Sequence, residues 1–217
     1  VEVKGIYSVE KFLIARRLMY WQVYLHKTVV GAEQMLIKIL YRAKELSMQG
    51  QQVFATKALQ HFLQNKIDIH NFLDIPDHLM WFTRLDDMDI MSAVKDWVYA
   101  DDRILGMLCK RLMNRDLLRT ELRNTPFSEQ EISFVKEKVK KNLSLNDHEV
   151  DYFVFTQTIQ NSAYDASYNN IKILNKMGSI QDITEASDLS NLVALAKRVE
   201  KYAISYPKEI GFPLYEG

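Results

Sequence analysis

Four side chains near the start of the chain have types and spacing that could do chemistry: Arg16, Tyr20, Tyr24 and Lys27. On a helix turning about 100° per residue, the last three fall within roughly 80° of Arg16, while Leu18, Trp21 and Leu25 point to the far side. A guanidinium is a planar fork for phosphate oxygens. A phenol offers a ring to stack on and a hydroxyl to hydrogen-bond a sugar or base. One face therefore carries what a nucleotide would ask for. The same spacing also suits tyrosines that bury their rings at a core edge, and cations that lay their stems along apolar surface. Spacing alone leaves both readings open.

These residues must be positioned by a largely helical protein. The 217 residues suffice for one large domain or two small ones with a real core, and only 7 Gly and 4 Pro argue against a turn-rich all-β chain. The apolar period is helical from Val9 to about Thr28 and on through Leu46, with Ser8 as the expected N-cap and Gly31 as a bend or break. Met35, Leu36, Ile39, Leu40, Ala43 and Leu46 form the expected buried stripe of the second segment. A short helix follows over Phe54 to Leu63. Pro76 suits the first turn of another, and Asp86 or Asp87, then Asp101 or Asp102, open two more.

Beyond Met113 the pattern changes. Leu117 to Leu122 and Val150 to Thr158 read as strands, Ser128 caps a helix to about Asn142, and Ile171 to Leu174 pairs with Ile180 to Ile183 through a turn at Gly178. Ser187 to Ala203 reads as a closing amphipathic helix, and the tail after Pro207 as an extended arm. The expected fold is mostly α, with a helical region over 1–113 and a smaller α+β region over 114–217. Val1 to Val3 reads as the end of a strand, and the absence of an initiator Met makes the sequence read as a piece of something longer.

The run from Tyr7 to Thr28 resembles the helix that follows the metal site in HD-domain deoxynucleoside triphosphate triphosphohydrolases, especially the bacterial HD-superfamily phosphohydrolases. That core is an Arg, a Tyr or His four on, then Tyr, one residue, His, Lys; Arg16, Tyr20, Tyr24, His26 and Lys27 match it. A weaker likeness lies in the Leu85 to Asp89 stretch. The resemblance covers residues 6 to 46 best and implies the C-terminal half of a longer enzyme that cleaves a deoxynucleoside triphosphate to nucleoside and triphosphate. It implies Arg16 on the triphosphate, Tyr20 packed against the nucleotide and Tyr24 against the sugar. His26 and Lys27 would reach phosphate or an effector, although Gln22 and Leu25 depart from the residues of regulated members. No His-Asp dipeptide occurs here, so the divalent metal of such an enzyme (Mg, Mn, Fe or similar), and with it the catalytic residues, would belong to the N-terminal HD half. This piece would be inactive alone.

Other constellations have simpler readings. His70, Asp74, Asp77 and His78 are metal-ligand types, but Pro76 interrupts their helix and a cap-and-turn role is preferred. Asp86, Asp87 and Asp89 lack the Gly and distal Glu of a calcium loop. Lys136, Lys138, Lys140 and Lys141 form a solvated face, and the lone Cys109 is a small buried hydrophobe. Twenty-eight basic against 28 acidic residues disfavour a general nucleic-acid binder. No run has the length of a membrane helix, the first residues lack the basic-then-apolar order of a signal peptide, and the expected compartment is the cytoplasm. The apolar sets Leu18, Trp21, Leu25 and Phe12, Met19, Val23 make a homo-oligomer the expected assembly. The alternative function is a non-catalytic helical interaction or regulatory module that turns its Tyr and Arg toward a protein partner.

Overall fold

The computed structural model describes residues 1–161, 170–187 and 199–210. The protein is mostly α with an α+β region toward its C-terminus, as the pattern predicts. It forms two compact units: one from Val1–Val30, Thr120–Ile132 and Thr156–Ser205, the other from Gly31–Arg119, Ser133–Phe155 and Tyr206–Gly217. The division expected at residue 113 does not coincide with them, because strands from distant stretches of chain join one sheet.

The first unit opens with a 3₁₀ turn over Val3–Gly5 that feeds helix α1 (Ile6–Met19). Gly5 is the residue before the helix, and a Cβ there would stand 2.8 Å from Val1 Cγ1. Ser8, the expected cap, lies inside α1: the turn already supplies the helix start, so no side chain is needed to cap it. Val1 to Val3 adds to this unit's own hairpin. The Val1 amino group donates to Lys172 O at 2.9 Å, and Glu2 bridges Leu174 in parallel.

That hairpin is β3 (Lys172–Leu174) against β4 (Ile180–Asp182), antiparallel, with Lys172 opposite Asp182. Its turn uses Gly178 at φ 82° and the Asn175 side chain, which accepts from the Met177 and Ser179 amides at 2.9 and 3.0 Å. Asp182 then caps the short helix α8 (Ile183–Ala186) by accepting from Thr184 N at 2.9 Å. Ile6 and Leu13 of α1 pack with Ile173 and Ile183 into one small core. A second core joins Val30, Ile159 and Ala203, with Leu25 and Leu122 against them.

Strands β1 (Arg119–Arg123), β2 (Phe155–Asn161) and β5 (Val199–Tyr206) form a sheet with β5 in the middle. This corrects two expectations. Val150 to Thr158 is not one strand: Glu149–Tyr152 makes a 3₁₀ turn before β2 begins. The expected closing helix over Ser187 to Ala203 gives way to strand from Val199, while residues 188–198 lie outside the described residues. Val, Tyr and Ile are strand formers, and pairing on both edges outweighs the helical spacing of the apolar residues.

In the second unit, α2 (Lys27–Met48) buries Met35, Ile39, Ala43 and Leu46, four of the six residues expected in its stripe. Leu36 and Leu40 are half-buried beside them. Around it stand α3 (Lys57–Gln64), α4 (Pro76–Phe82), α5 (Asp87–Trp97) and α6 (Arg103–Met113), followed by most of α7 (Glu129–Leu143). Asp86 and Asp89 close a reciprocal capping box on α5, and Asp102 caps α6 by accepting from Leu105 N at 2.8 Å. Pro76 takes the first position of α4, as its missing N–H allows. Cys109 is fully buried in α6, and burial pushes its thiol up to about 12.

A polar network ties this unit together. Arg42 forks onto Asp102, with Nε to Oδ1 at 3.0 Å and Nη2 to Oδ2 at 2.6 Å, and reaches Glu45 at 2.6 Å through Nη1. The Tyr152 hydroxyl donates to the same Glu45 oxygen at 2.7 Å. Burial alone would raise the pKa values of Asp102 and Glu45, but hydrogen bonds and nearby positive charge hold both below the usual carboxylate range. Burial and the Glu45 carboxylate push Tyr152 up to about 12.

Candidate functional site

Helix α1 does not run straight through to Thr28. After Met19 the chain widens into a π-helical turn over Tyr20–Tyr24, closed by Leu25 N donating to Tyr20 O at 2.7 Å. Leu25 leaves helical geometry at φ −104°, ψ 19°, and α2 restarts at Lys27. The break therefore falls at Leu25 and His26, while Gly31, the expected bend, lies inside α2. The inserted residue lets Leu25 join Val30, Ile159 and Ala203 while Trp21 keeps its ring under the Lys201 ammonium, 4.6 Å from Nζ to ring centre. Such π turns are over-represented at functional sites.

The turn keeps Arg16, Tyr20 and Tyr24 together. Arg16 Nη2 donates to the Tyr20 hydroxyl at 3.1 Å, and its guanidinium carbon stands 4.8 Å from the ring centre. The Tyr20 and Tyr24 rings follow at 5.3 Å, tilted by 56°. Tyr24 is 56% exposed, and Arg16 also faces solvent. The cation and the two rings form a solvent-facing column that offers a fork, a stacking surface and hydroxyls.

Lys27 does not project from the helix that carries this column. It is the first residue of α2, where a cation meets the positive end of the helix dipole. His26 precedes it. Its carbonyl accepts from Val30 N at 3.0 Å and its Nδ1 from Thr28 N at 3.3 Å, so His26 serves as the cap of α2. Both residues are exposed.

The other candidate constellations do not assemble. His70 donates its backbone N–H to Asp68 in a turn, whereas His78 is buried and hydrogen-bonds His61 at 2.8 Å. Among the described residues no three His, Cys, Asp or Glu side chains could hold a metal ion together, so the residues present do not fit a divalent metal. Lys136 pairs with Asp151, and Lys140 with Glu137 and Asp147. No helix among the described residues is long and apolar enough to cross a membrane.

Sequence reasoning passed over Glu10, which is almost fully buried on α1 and accepts from the Ser187 hydroxyl. The signal was present: with Ile6 and Leu13 it falls on one apolar stripe, where a carboxylate needs a partner. It also passed over the polar network at Glu45, whose Arg42 lies three residues away but whose Tyr152 lies 107 residues on.

No protein-family model matches the chain. The chain is 27% identical over 220 residues to the uncharacterized protein YwfO of Bacillus subtilis, covering 97% of this chain and 47% of that protein. Among solved structures it is similar to a phosphohydrolase from Bacteroides thetaiotaomicron, with a TM-score of 0.86 and 45% sequence identity over 95% of this chain and 51% of the other. The chain thus spans about half the length of both proteins, and over that half it shares both fold and sequence with a phosphohydrolase.

Proposed function

We propose that this chain is the substrate-facing part of a metal-dependent phosphohydrolase acting on deoxynucleoside triphosphates. The observation that carries the reading is the column of Arg16 on α1 with Tyr20 and Tyr24 on the π turn, in a chain that is 45% identical to a phosphohydrolase. In this reading the Arg16 fork holds the polyphosphate, Tyr20 packs against the nucleotide and Tyr24 lies against the sugar. A ring pressed on the sugar leaves no room for a 2′-hydroxyl, which favours deoxynucleotides. Because the cation already rests on Tyr20, little side-chain freedom is lost when phosphate arrives.

The divalent metal and the residues that hold it belong to a further HD half of the whole protein. The metal would supply an activated water for attack at phosphorus. His26 and Lys27, exposed at the start of α2, are proposed as further phosphate or effector contacts. A homo-oligomer is proposed through the exposed apolar residues of α1 and the π turn: Phe12 is 60% exposed, Met19 47% and Val23 46% in one set, and Leu18 52% in the other.

The test is product analysis by phosphorus NMR. The whole protein, incubated with each deoxynucleoside triphosphate and Mn²⁺, is expected to release inorganic triphosphate and a deoxynucleoside. Release of pyrophosphate or orthophosphate instead, or no turnover with any of the four, would overturn the reading.

A further inference from the structure

A cleft lies wholly within the second unit, lined by residues distant in the chain from the Arg16 column. It is an open space of about 450 Å³ between the C-terminal half of α2 and the 3₁₀ turn at Tyr152, with Lys38, Tyr41, Lys44 and Met48 on the helix side. That volume lies in the range of small-molecule sites.

The chemistry of its walls is one-sided. The carboxylates are already engaged: Glu45 receives Arg42 and Tyr152, with His148 Nε2 at 3.5 Å, and Asp151 receives Lys136 at 2.6 Å. The ammonium of Lys38 is not. It stands 5.3 Å from the ring centre of Phe155 and 5.9 Å from that of Tyr152, and it makes no hydrogen bond or ion pair with the described residues. Lys44 donates to Asn65 O at 3.0 Å, leaving its other N–H groups for a ligand. Burial lowers the pKa of Lys38, with Asp151 opposing and Lys136 adding to the effect, and burial lowers that of Lys44. A half-buried ammonium that makes no direct ion pair is a partly desolvated charge that an incoming anion stabilises. Beside it the Tyr41 ring is 62% exposed and Met48 51% exposed, a flat and adaptable apolar surface at the mouth.

We propose that this cleft binds a small organic phosphate, with the oxyanion on Lys38 and the flat or apolar body against Tyr41 and Met48. The site is distinct from the Arg16 column, and its existence does not depend on what the column binds. Donors outnumber free acceptors in the cleft, so a cation or a neutral polyol is disfavoured. The ammonium groups of Lys38 and Lys44 beside the Tyr41 ring suit a phosphorylated molecule that carries a ring or short chain.

The experiment is calorimetric titration of the protein with phenyl phosphate, inorganic phosphate and phenol. Phenyl phosphate should bind one-to-one with a Kd of about 1 mM or tighter, and each of the other probes at least about tenfold more weakly. Lys38→Gln should lose at least about tenfold in phenyl phosphate affinity, Lys38→Arg should stay within about threefold, and the exposed Lys95→Gln should change nothing. Tyr41→Ala should weaken phenyl phosphate and leave inorganic phosphate alone. Independently, phenyl phosphate should protect Lys38, but not Lys95, from acetylation read by mass spectrometry. That readout uses the unaltered protein and stands even if Lys38→Gln does not fold. No saturable binding up to about 10 mM, or equal affinity in Lys38→Gln, or no protection of Lys38, would overturn the proposal.

Discussion

Arg16 donates a 3.1 Å hydrogen bond to the hydroxyl of Tyr20 while its guanidinium carbon lies 4.8 Å from the centre of the same ring. The ring and its hydroxyl therefore hold the direction in which the cation points. Its planar fork, and not its charge alone, is what the ring and hydroxyl orient.

The first prediction follows from that pairing. In the whole protein, Arg16→Ala should lower kcat/KM for a deoxynucleoside triphosphate by about 2–3 kcal/mol in transition-state free energy, the scale of a charge-assisted contact. Arg16→Lys should recover only part of the loss, because an ammonium cannot fork. Steady-state kinetics on the two variants decides it, and an unchanged kcat/KM in Arg16→Ala removes Arg16 from the pocket.

Asp102 has two roles that substitutions can separate. It receives both arms of Arg42 and caps α6. Asp102→Ala removes cap and counter-ion together and should cost about 3 kcal/mol in urea unfolding. Asp102→Asn keeps an acceptor for Leu105 N and should cost about half of that. Equal losses in the two variants would show that the cap contributes nothing measurable.

The helices were legible where their signals are local. The capping acids before α5 and α6, Pro76 in α4 and the buried stripe of α2 are set by residues within a turn or two of one another, and short-range pattern records them. The hairpin around Gly178 was legible for the same reason. The π turn was not: one extra residue between Met19 and Leu25 leaves the hydropathy nearly unchanged, and it is Leu25 reaching the core of Val30, Ile159 and Ala203 that demands it. The helical period that ends at Ala203 runs into the first residues of β5 because the strand's partners β1 and β2 come from distant sequence. In the candidate site, residue types named Arg16, Tyr20 and Tyr24, but the cleft at Lys38 depends on a turn more than a hundred residues away and has no signature along the chain.

Acid should act on one identifiable ion pair. Arg123 forks onto Glu131 with both contacts at 2.7 Å, and with the Ser128 amide it holds Glu131 down from its ordinary 4.5 to about 2. A carboxylate with a depressed folded pKa contributes stability that is present above 4.5 and fades as pH falls toward about 2. The pair is partly exposed, so its contribution is about 1 kcal/mol. Arg123→Ala should lower Tm at pH 7 and leave it nearly unchanged at pH 2. A deficit of equal size at both values would assign the loss to the contacts that do not titrate, the hydrogen bonds from Arg123 to Thr125 O and Pro126 O and the Phe127 ring, 3.8 Å from guanidinium carbon to ring centre.

The apolar row on α1 sets the last prediction. Met19→Glu should shift the chain toward monomer in light scattering at micromolar concentration, because it charges the middle of the exposed set formed with Phe12 and Val23. Trp21→Glu should act mainly on stability, since Trp21 is half-covered and lies under Lys201. A clean 25 kDa species in the unaltered protein would mean that this row meets no second copy.

Cys109 is the single sulfhydryl in the chain, shut inside α6 and protonated at neutral pH. A disulfide reagent can meet it only in the moments when that helix lets go, so the rate of its modification times those openings. The protein thus carries its own clock for the breathing of its second unit, readable by absorbance without a tag or an introduced probe. Any ligand of the α2 cleft that steadies this unit should slow the clock in proportion to the fraction of protein it occupies.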